Sequence, residues 1–186
     1  MYPIPAVLVT GARSAAKTRF VHALAAARPA GERWAVLDND GGNQVQANTQ
    51  LSVARITGCL CCTGQVALQT GIVRLIRQSR PQRLLIVASG AAEPAALERA
   101  LRQEPLTRAV QISHRLCVAT AEQLAAAPPA ARELWLQQLR AANYGVAADD
   151  AAAETLSAAL SAAGGAGIRA ISTAAALLAV LPPPAR

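Results

Sequence analysis

Lysine occurs once in the chain, at Lys17, and every other strong base is an arginine. With no lysine-rich run, and with aromatics at only 3% of residues, there is no basic track interleaved with stacking rings, which argues against nucleic acid as the partner. No stretch reaches the roughly 18 apolar residues that a membrane span needs; the terminal run Ala174 to Leu181 is too short and stops at Pro182, Pro183 and Pro184. Nothing at the N-terminus reads as a signal peptide, because the first apolar run begins almost at once and flows into a glycine loop, so a cytoplasmic protein is expected. Cysteine is sparse as well. Three of the four cysteines crowd between Cys59 and Cys62, which is no disulfide framework and points to metal or redox chemistry.

What is present is aliphatic. Apolar residues make up 53% of the 186, much of that alanine, so a closely packed core with few aromatic anchors is expected, within one domain spanning residues 1–186. The net charge of +7 comes from scattered arginines, densest at Arg74, Arg77, Arg80 and Arg83, and permits an anionic partner such as a nucleotide.

Periodicity predicts strands at Ala6 to Val9, Trp34 to Leu37, Leu51 to Ile56, Leu84 to Val87, Leu116 to Ala119, Tyr144 to Ala147 and Ile168 to Ile171. Helical runs lie between them, at Lys17 to Ala27, Gln65 to Gln78, Ala95 to Gln103, Ala130 to Ala141, Ala151 to Ala162 and Thr173 to Val180. Apolar strands without alternation, separated by helices, define an α/β fold: a mostly parallel sheet covered by helices on both faces. Ligands of such sheets sit beyond the carboxyl ends of the strands, and Gly11, Asp38, Cys59, Ser89 and Thr120 all fall there.

The first strand leads into Gly11-Ala12-Arg13-Ser14-Ala15-Ala16-Lys17-Thr18, the layout of a P-loop. Backbone N–H groups of the loop and helix start would face phosphate oxygens, Lys17 would reach them as a point charge, and the Thr18 hydroxyl could ligate Mg²⁺. The pattern has glycine where this chain has Ala16. If that position is left-handed, the Cβ costs about 1–2 kcal/mol and phosphate binding is weakened.

Thr57-Gly58-Cys59-Leu60-Cys61-Cys62-Thr63-Gly64 sets three thiols between two glycines. In an extended segment Cys59 and Cys61 project to one side, so two thiolates can meet one soft or borderline ion. A structural Zn²⁺ site takes four ligands, which leaves an open position for water, a nucleotide oxygen, His114, Cys117 or a second chain in a homodimer. His22 lies within a helical run near its apolar face and reads as structural.

With both motifs placed, the chain resembles the nucleotide-binding domain of the CobW-like GTPases, relatives of the HypB and UreG metallochaperones. The resemblance rests on Gly11 to Thr18, on Gly58-Cys59-Leu60-Cys61-Cys62, and on Ser89-Gly90-Ala91-Ala92-Glu93-Pro94, which looks like the family's Ser-Gly-Leu-Ala-Asp-Pro. It runs from residue 5 to about residue 125 and more loosely to about residue 180, without the C-terminal domain common in that family. It implies a P-loop NTPase-like fold, GTP and Mg²⁺ at Gly11 to Thr18, a divalent metal such as Zn²⁺ or Co²⁺ on Cys59, Cys61 and Cys62, slow GTP hydrolysis, and a metalloprotein client.

Two departures qualify that implication. Val87-Ala88 stands where the family carries a carboxylate, leaving Asp38 or Asp40 of the loosely similar Asp38-Asn39-Asp40-Gly41-Gly42 segment to supply one. Guanine selection in the family uses Asn-Lys-x-Asp, but the matching region here is Ala147-Ala148-Asp149-Asp150, so base selection is expected to be relaxed. Beside the metal-handling GTPase stand two alternatives: a non-hydrolysing pseudo-GTPase that binds metal or a partner, and a P-loop small-molecule kinase using ATP. The kinase leaves the cysteines unexplained.

Overall fold

The computed structural model describes residues 3–12, 14–42, 44–48, 51–58, 64–120, 129–147, 156–158, 169–171 and 173–184. Seven strands, β1 (Ile4–Thr10), β2 (Trp34–Asp38), β3 (Leu51–Arg55), β4 (Arg83–Val87), β5 (Val110–Ala119), β6 (Tyr144–Ala147) and β7 (Arg169–Ile171), form one sheet in the order β3-β2-β4-β1-β5-β6-β7. Every neighbouring pair is parallel. The described helices are α1 (Ser14–Ala26), α2 (Gln65–Ser79), α3 (Pro94–Leu101), α4 (Leu106–Ala109), α5 (Pro129–Arg140) and α6 (Ala174–Leu178), with a helical turn at residues 156–158.

Both faces of the sheet are covered because consecutive strand residues point oppositely and both sets are apolar. From β1, Ile4, Ala6 and Leu8 join Leu68, Ile72 and Leu75 of α2 and Leu97 and Leu101 of α3. Val7 and Val9 turn the other way, onto Ala16, Phe20, Val21 and Leu24 of α1 and Leu177 of α6. A smaller cluster seats Trp135 and Leu139 of α5 against Cys117, Ala119 and Ala147.

The predicted elements are all found where they are described, with shifted ends. β5 begins at Val110, six residues before the predicted start, and pairs with β1 from Ile4 onward. Its first half carries Gln111, Ser113 and Arg115, and these polar side chains break the apolar run by which a buried strand is recognised. α4 was not predicted; a single turn between Pro105 and Val110 carries too little periodicity to register. Helix α1 starts at Ser14, three residues ahead of the predicted Lys17. Most of the predicted helix Ala151 to Ala162 lies outside the described residues.

Among the described residues no helix is long and apolar enough to cross a membrane.

Candidate functional site at the carboxyl edge of the sheet

β1 sits at the centre of the sheet, between β4 and β5, and its chain continues into the glycine loop. Asp38 pairs with Val87, Val9 with Val87, and Thr10 with Cys117, so β1, β2 and β4 end within a residue of one level and β5 runs two residues past Thr10. Gly11, Asn39 and Ala88 leave the sheet there and Thr120 follows just beyond, so of the residues expected at this edge Gly11, Asp38, Ser89 and Thr120 are found on it.

Gly11 has φ +132°, and a Cβ there would stand 2.4 Å from the Val118 carbonyl oxygen. Only glycine lets the backbone turn this close to β5. The Gly11 N–H donates to Gln138 Oε1 at 3.1 Å. Gln138, a buried residue of α5, spends its amide on the neighbouring turn, donating to the Gly90 and Ala92 carbonyls at 3.0 and 2.9 Å. Gly90 approaches as closely, since a Cβ on it would lie 2.8 Å from the Ala12 carbonyl oxygen. The turn itself is closed by Ala92 N–H donating to the Ser89 carbonyl and Ala91 N–H to the Ser89 hydroxyl. The glycine loop and the Ser89–Ala92 turn are thus interlocked.

Ala16 is buried and lies within α1, and among the described residues Arg80 is the one non-glycine residue with positive φ. The left-handed strain expected at Ala16 is therefore absent. Alanine, the best helix former, continues α1 upstream of the lysine. Arg13 lies outside the described residues. The first N–H groups of α1 have no partner within the helix and lie beside Gly11 and Lys17, a favourable setting for an anion.

Lys17 is fully buried. Its ammonium donates to the Gly11 carbonyl at 2.6 Å and the Ala88 carbonyl at 2.9 Å, and forms an ion pair with Asp40 Oδ2 at 3.2 Å. Burial lowers its pKa from 10.5, and the Asp40 carboxylate works against that shift. Thr18 follows, also buried.

The loop after β2 is built by its own acids and amide. Asp38 Oδ1 accepts from Asp40 N–H at 3.0 Å and Asp38 Oδ2 from Val45 N–H at 2.9 Å, so one carboxylate holds both Asp40 and Val45. Asn39 donates through its side chain to the Ile56 carbonyl at 3.0 Å and the Gly58 carbonyl at 2.9 Å. Gly58 directly precedes Cys59. Cys59, Cys61 and Cys62 lie outside the described residues, as do Asp149 and Asp150; their flanks, Gly58 after β3 and Gly64 at the start of α2, lie at this same edge. Between Gly58 and the Ser89 turn opens a cavity of about 300 Å³, bordered by Asn39, Gly58, Ser89 and Glu93 among others.

Two residues considered for the open metal position lie on β5. Cys117 is wholly buried in β5, and burial pushes its thiol up to about 12 despite a hydrogen bond with Thr10. His114 lies three residues earlier on β5, in register with Val7 and stacked on Tyr144 at 5.5 Å, roughly 10 Å down the strand from the sheet edge. Among the described residues no three His, Cys, Asp or Glu side chains converge to hold a metal ion. His22 accepts from Gln46 N–H at 3.3 Å, the structural part expected of it.

Gln138 and the Lys17–Asp40 pair escaped the sequence reading. No motif marks a glutamine near the end of a helix, and a carboxylate 23 positions from its lysine becomes a partner only once β2 lies next to β4.

A central parallel strand, a glycine turn and a buried lysine under it define a P-loop nucleotide-binding fold. Solved structures agree on that fold: the Zn(II)-bound YjiA GTPase from E. coli (TM-score 0.60, 18% identity, covering 87% of this chain and 55% of that one) and the signal recognition particle receptor FtsY from Elizabethkingia anophelis in complex with GDP (TM-score 0.56, 10% identity, 91% and 56%). The model of the CobW/HypB/UreG nucleotide-binding domain matches residues 5–161, and the chain belongs to that family. A curated relative, the zinc chaperone YeiR of Escherichia coli (strain K12), is 30% identical over 146 residues, which are 75% of this chain and 44% of YeiR. The chain thus spans less than half the length of that relative.

Proposed function

We propose that the chain is a GTP-binding, zinc-handling protein: Gly11 to Thr18 cradle the phosphates, and Cys59, Cys61 and Cys62 take up Zn²⁺ as cargo for transfer to a metalloprotein client. The observation that carries this reading is the adjacency of Asp40 and Asn39. One pairs with the P-loop lysine, while its neighbour tethers the Gly58 carbonyl at the entry to the thiol stretch. The relatives support the two ligands, being a zinc chaperone and a Zn(II)-bound GTPase. A triple mutant of the latter, with one glutamate and two cysteines changed to alanine, also matches in fold.

Mg²⁺ accompanying the nucleotide would neutralise phosphate charge, and the oxygen donors that suit it are Thr18 and Asp40, whose buried Oδ2 has no hydrogen-bond partner beyond the Lys17 ion pair. Titration with a fluorescent GTP analogue, with and without Zn²⁺, tests the proposal. Micromolar binding lost in Lys17→Ala is expected, and no binding of either ligand at tens of micromolar contradicts it.

A second reading, a pseudo-GTPase that binds without hydrolysing, is favoured by the end of β4. There the Ala88 carbonyl faces Lys17 and no acid follows Val87. Loss of a preorganised charge of this kind removes orders of magnitude in phosphoryl transfer. Phosphate release above background that disappears in Lys17→Ala selects hydrolysis, and its absence alongside tight GTP binding selects the pseudo-enzyme.

A further inference from the structure

Lys17 has three ammonium protons and three acceptors: the Gly11 carbonyl, the Ala88 carbonyl and Asp40 Oδ2. None is left to meet a phosphate. The two carbonyls are neutral and belong to the residues just past β1 and β4, whose N–H groups are tied to Gln138 and to the Val9 carbonyl. Asp40 is different, being an anion on a loop. A phosphate oxygen brought to the same ammonium would meet the Asp40 carboxylate in a water-poor site, where like charges repel far more than in solvent.

We propose that Asp40 is an internal competitor for phosphate, occupying Lys17 in the empty protein and leaving it when nucleotide binds. The proposal rests on the nucleotide reading above and adds a regulation of that same site.

The geometry of the loop decides what the exchange moves. Asp40 is fixed by its own N–H to Asp38 Oδ1, and Val45 by its N–H to Asp38 Oδ2. Asn39, one residue before Asp40, holds the Ile56 and Gly58 carbonyls. Withdrawal of Asp40 therefore strains the contacts that Asp38 makes with Asp40 and Val45 and pulls on the tether to Gly58. Coupling of this sort is reciprocal, so whatever steadies the Gly58 end also holds nucleotide off. Burial depresses the Lys17 pKa and the carboxylate opposes it, as expected of a lysine that keeps a counter-anion in the absence of ligand.

The test is equilibrium binding of a fluorescent GDP analogue in EDTA, so that no cation bridges Asp40 to the ligand, to the wild-type chain, Asp40→Asn and Lys17→Ala. Asp40→Asn keeps the shape and removes the charge, and is expected to bind about tenfold more tightly than wild type, within the 5- to 150-fold usual for coupled sites. Lys17→Ala is expected to lose binding. Wild-type binding with equal or weaker binding by Asp40→Asn overturns the competitor and leaves the nucleotide reading standing. No binding by either overturns both. Hydrogen exchange on the wild-type chain provides a readout that needs no variant: the Asp40 and Val45 amides are expected to exchange faster once GDP is bound, and unchanged protection in a saturated sample overturns the proposal.

Discussion

Gln138 and Gly11 stand 127 residues apart in the chain and 3.1 Å apart in the fold. That one amide accepts from the glycine loop and donates twice to the Ser89–Ala92 turn, so the two turns keep a fixed relation. Replacing it with an apolar isostere leaves one N–H and two carbonyls without their partner. Gln138→Leu is expected to lose about 2–4 kcal/mol of unfolding free energy, at roughly 1–3 kcal/mol for each buried group left unsatisfied with some relief from water, and to weaken nucleotide binding. Urea denaturation and the fluorescent titration check the two effects.

Gly11 tolerates no side chain. With φ at +132° and the Val118 carbonyl 2.4 Å from where a Cβ would stand, Gly11→Ala must move β1 away from β5 or twist the loop. A loss of about 1–3 kcal/mol in stability is expected from the backbone strain alone. Gly31 serves as the control, because although its φ is also positive a Cβ meets nothing within 4 Å. Gly31→Ala is expected to cost less than Gly11→Ala in the same denaturation series.

His114 makes stability depend on pH. Burial, and then the nearby positive charge of Arg83, lower its pKa from 6.5, and its Nδ1 is buried without a hydrogen bond. The unfolded chain therefore takes up this proton first as pH falls, and the His114 contribution to stability, full above about 6.5, is lost as pH drops through the lower folded-state value. His114→Phe keeps a ring against Tyr144 without the titration. Its melting temperature is expected to fall less between pH 7 and pH 5 than that of the wild type, measured as the difference between the two curves.

The cysteines divide by reactivity. A thiol pushed up to about 12 and wholly buried is almost entirely protonated at pH 8 and out of reach, so Cys117 should resist iodoacetamide until the protein is unfolded. Mass spectrometry of alkylated peptides checks this, and labelling of Cys117 in the native protein at a rate like that of free cysteine contradicts it.

Much of the fold could be read from local pattern because a buried parallel strand is a continuous apolar run and its helices are separated by proline and glycine. Trp34–Asp38 and Tyr144–Ala147 are such runs, and their predicted limits nearly match those observed. The start of β5 was missed because Gln111, Ser113 and Arg115 interrupt the run where only one side of the strand meets the core. At the site, the P-loop was legible because its chemistry fixes the order of glycine, lysine and threonine within eight positions. The contacts of Asp40, Asn39 and Gln138 were not: Asp40 could be named as a candidate carboxylate, but each acts on a residue brought to it by strand order, Asp40 on Lys17, Asn39 on Gly58 and Gln138 on Gly11. The strain assigned to Ala16 failed for a related reason. The helix begins at Ser14, and a position outside a helix in the pattern is inside one here.

The central claim, that nucleotide and metal sense each other through Asp40, Asn39 and the hydrogen bond from Asn39 to Gly58, is tested most directly by the zinc affinity of the full chain measured with and without a saturating non-hydrolysable GTP analogue. The account predicts that zinc binding weakens about fivefold or more when the nucleotide is bound, and that Lys17→Ala shows one zinc affinity in both conditions. An identical zinc affinity with the wild-type nucleotide site demonstrably full would contradict it.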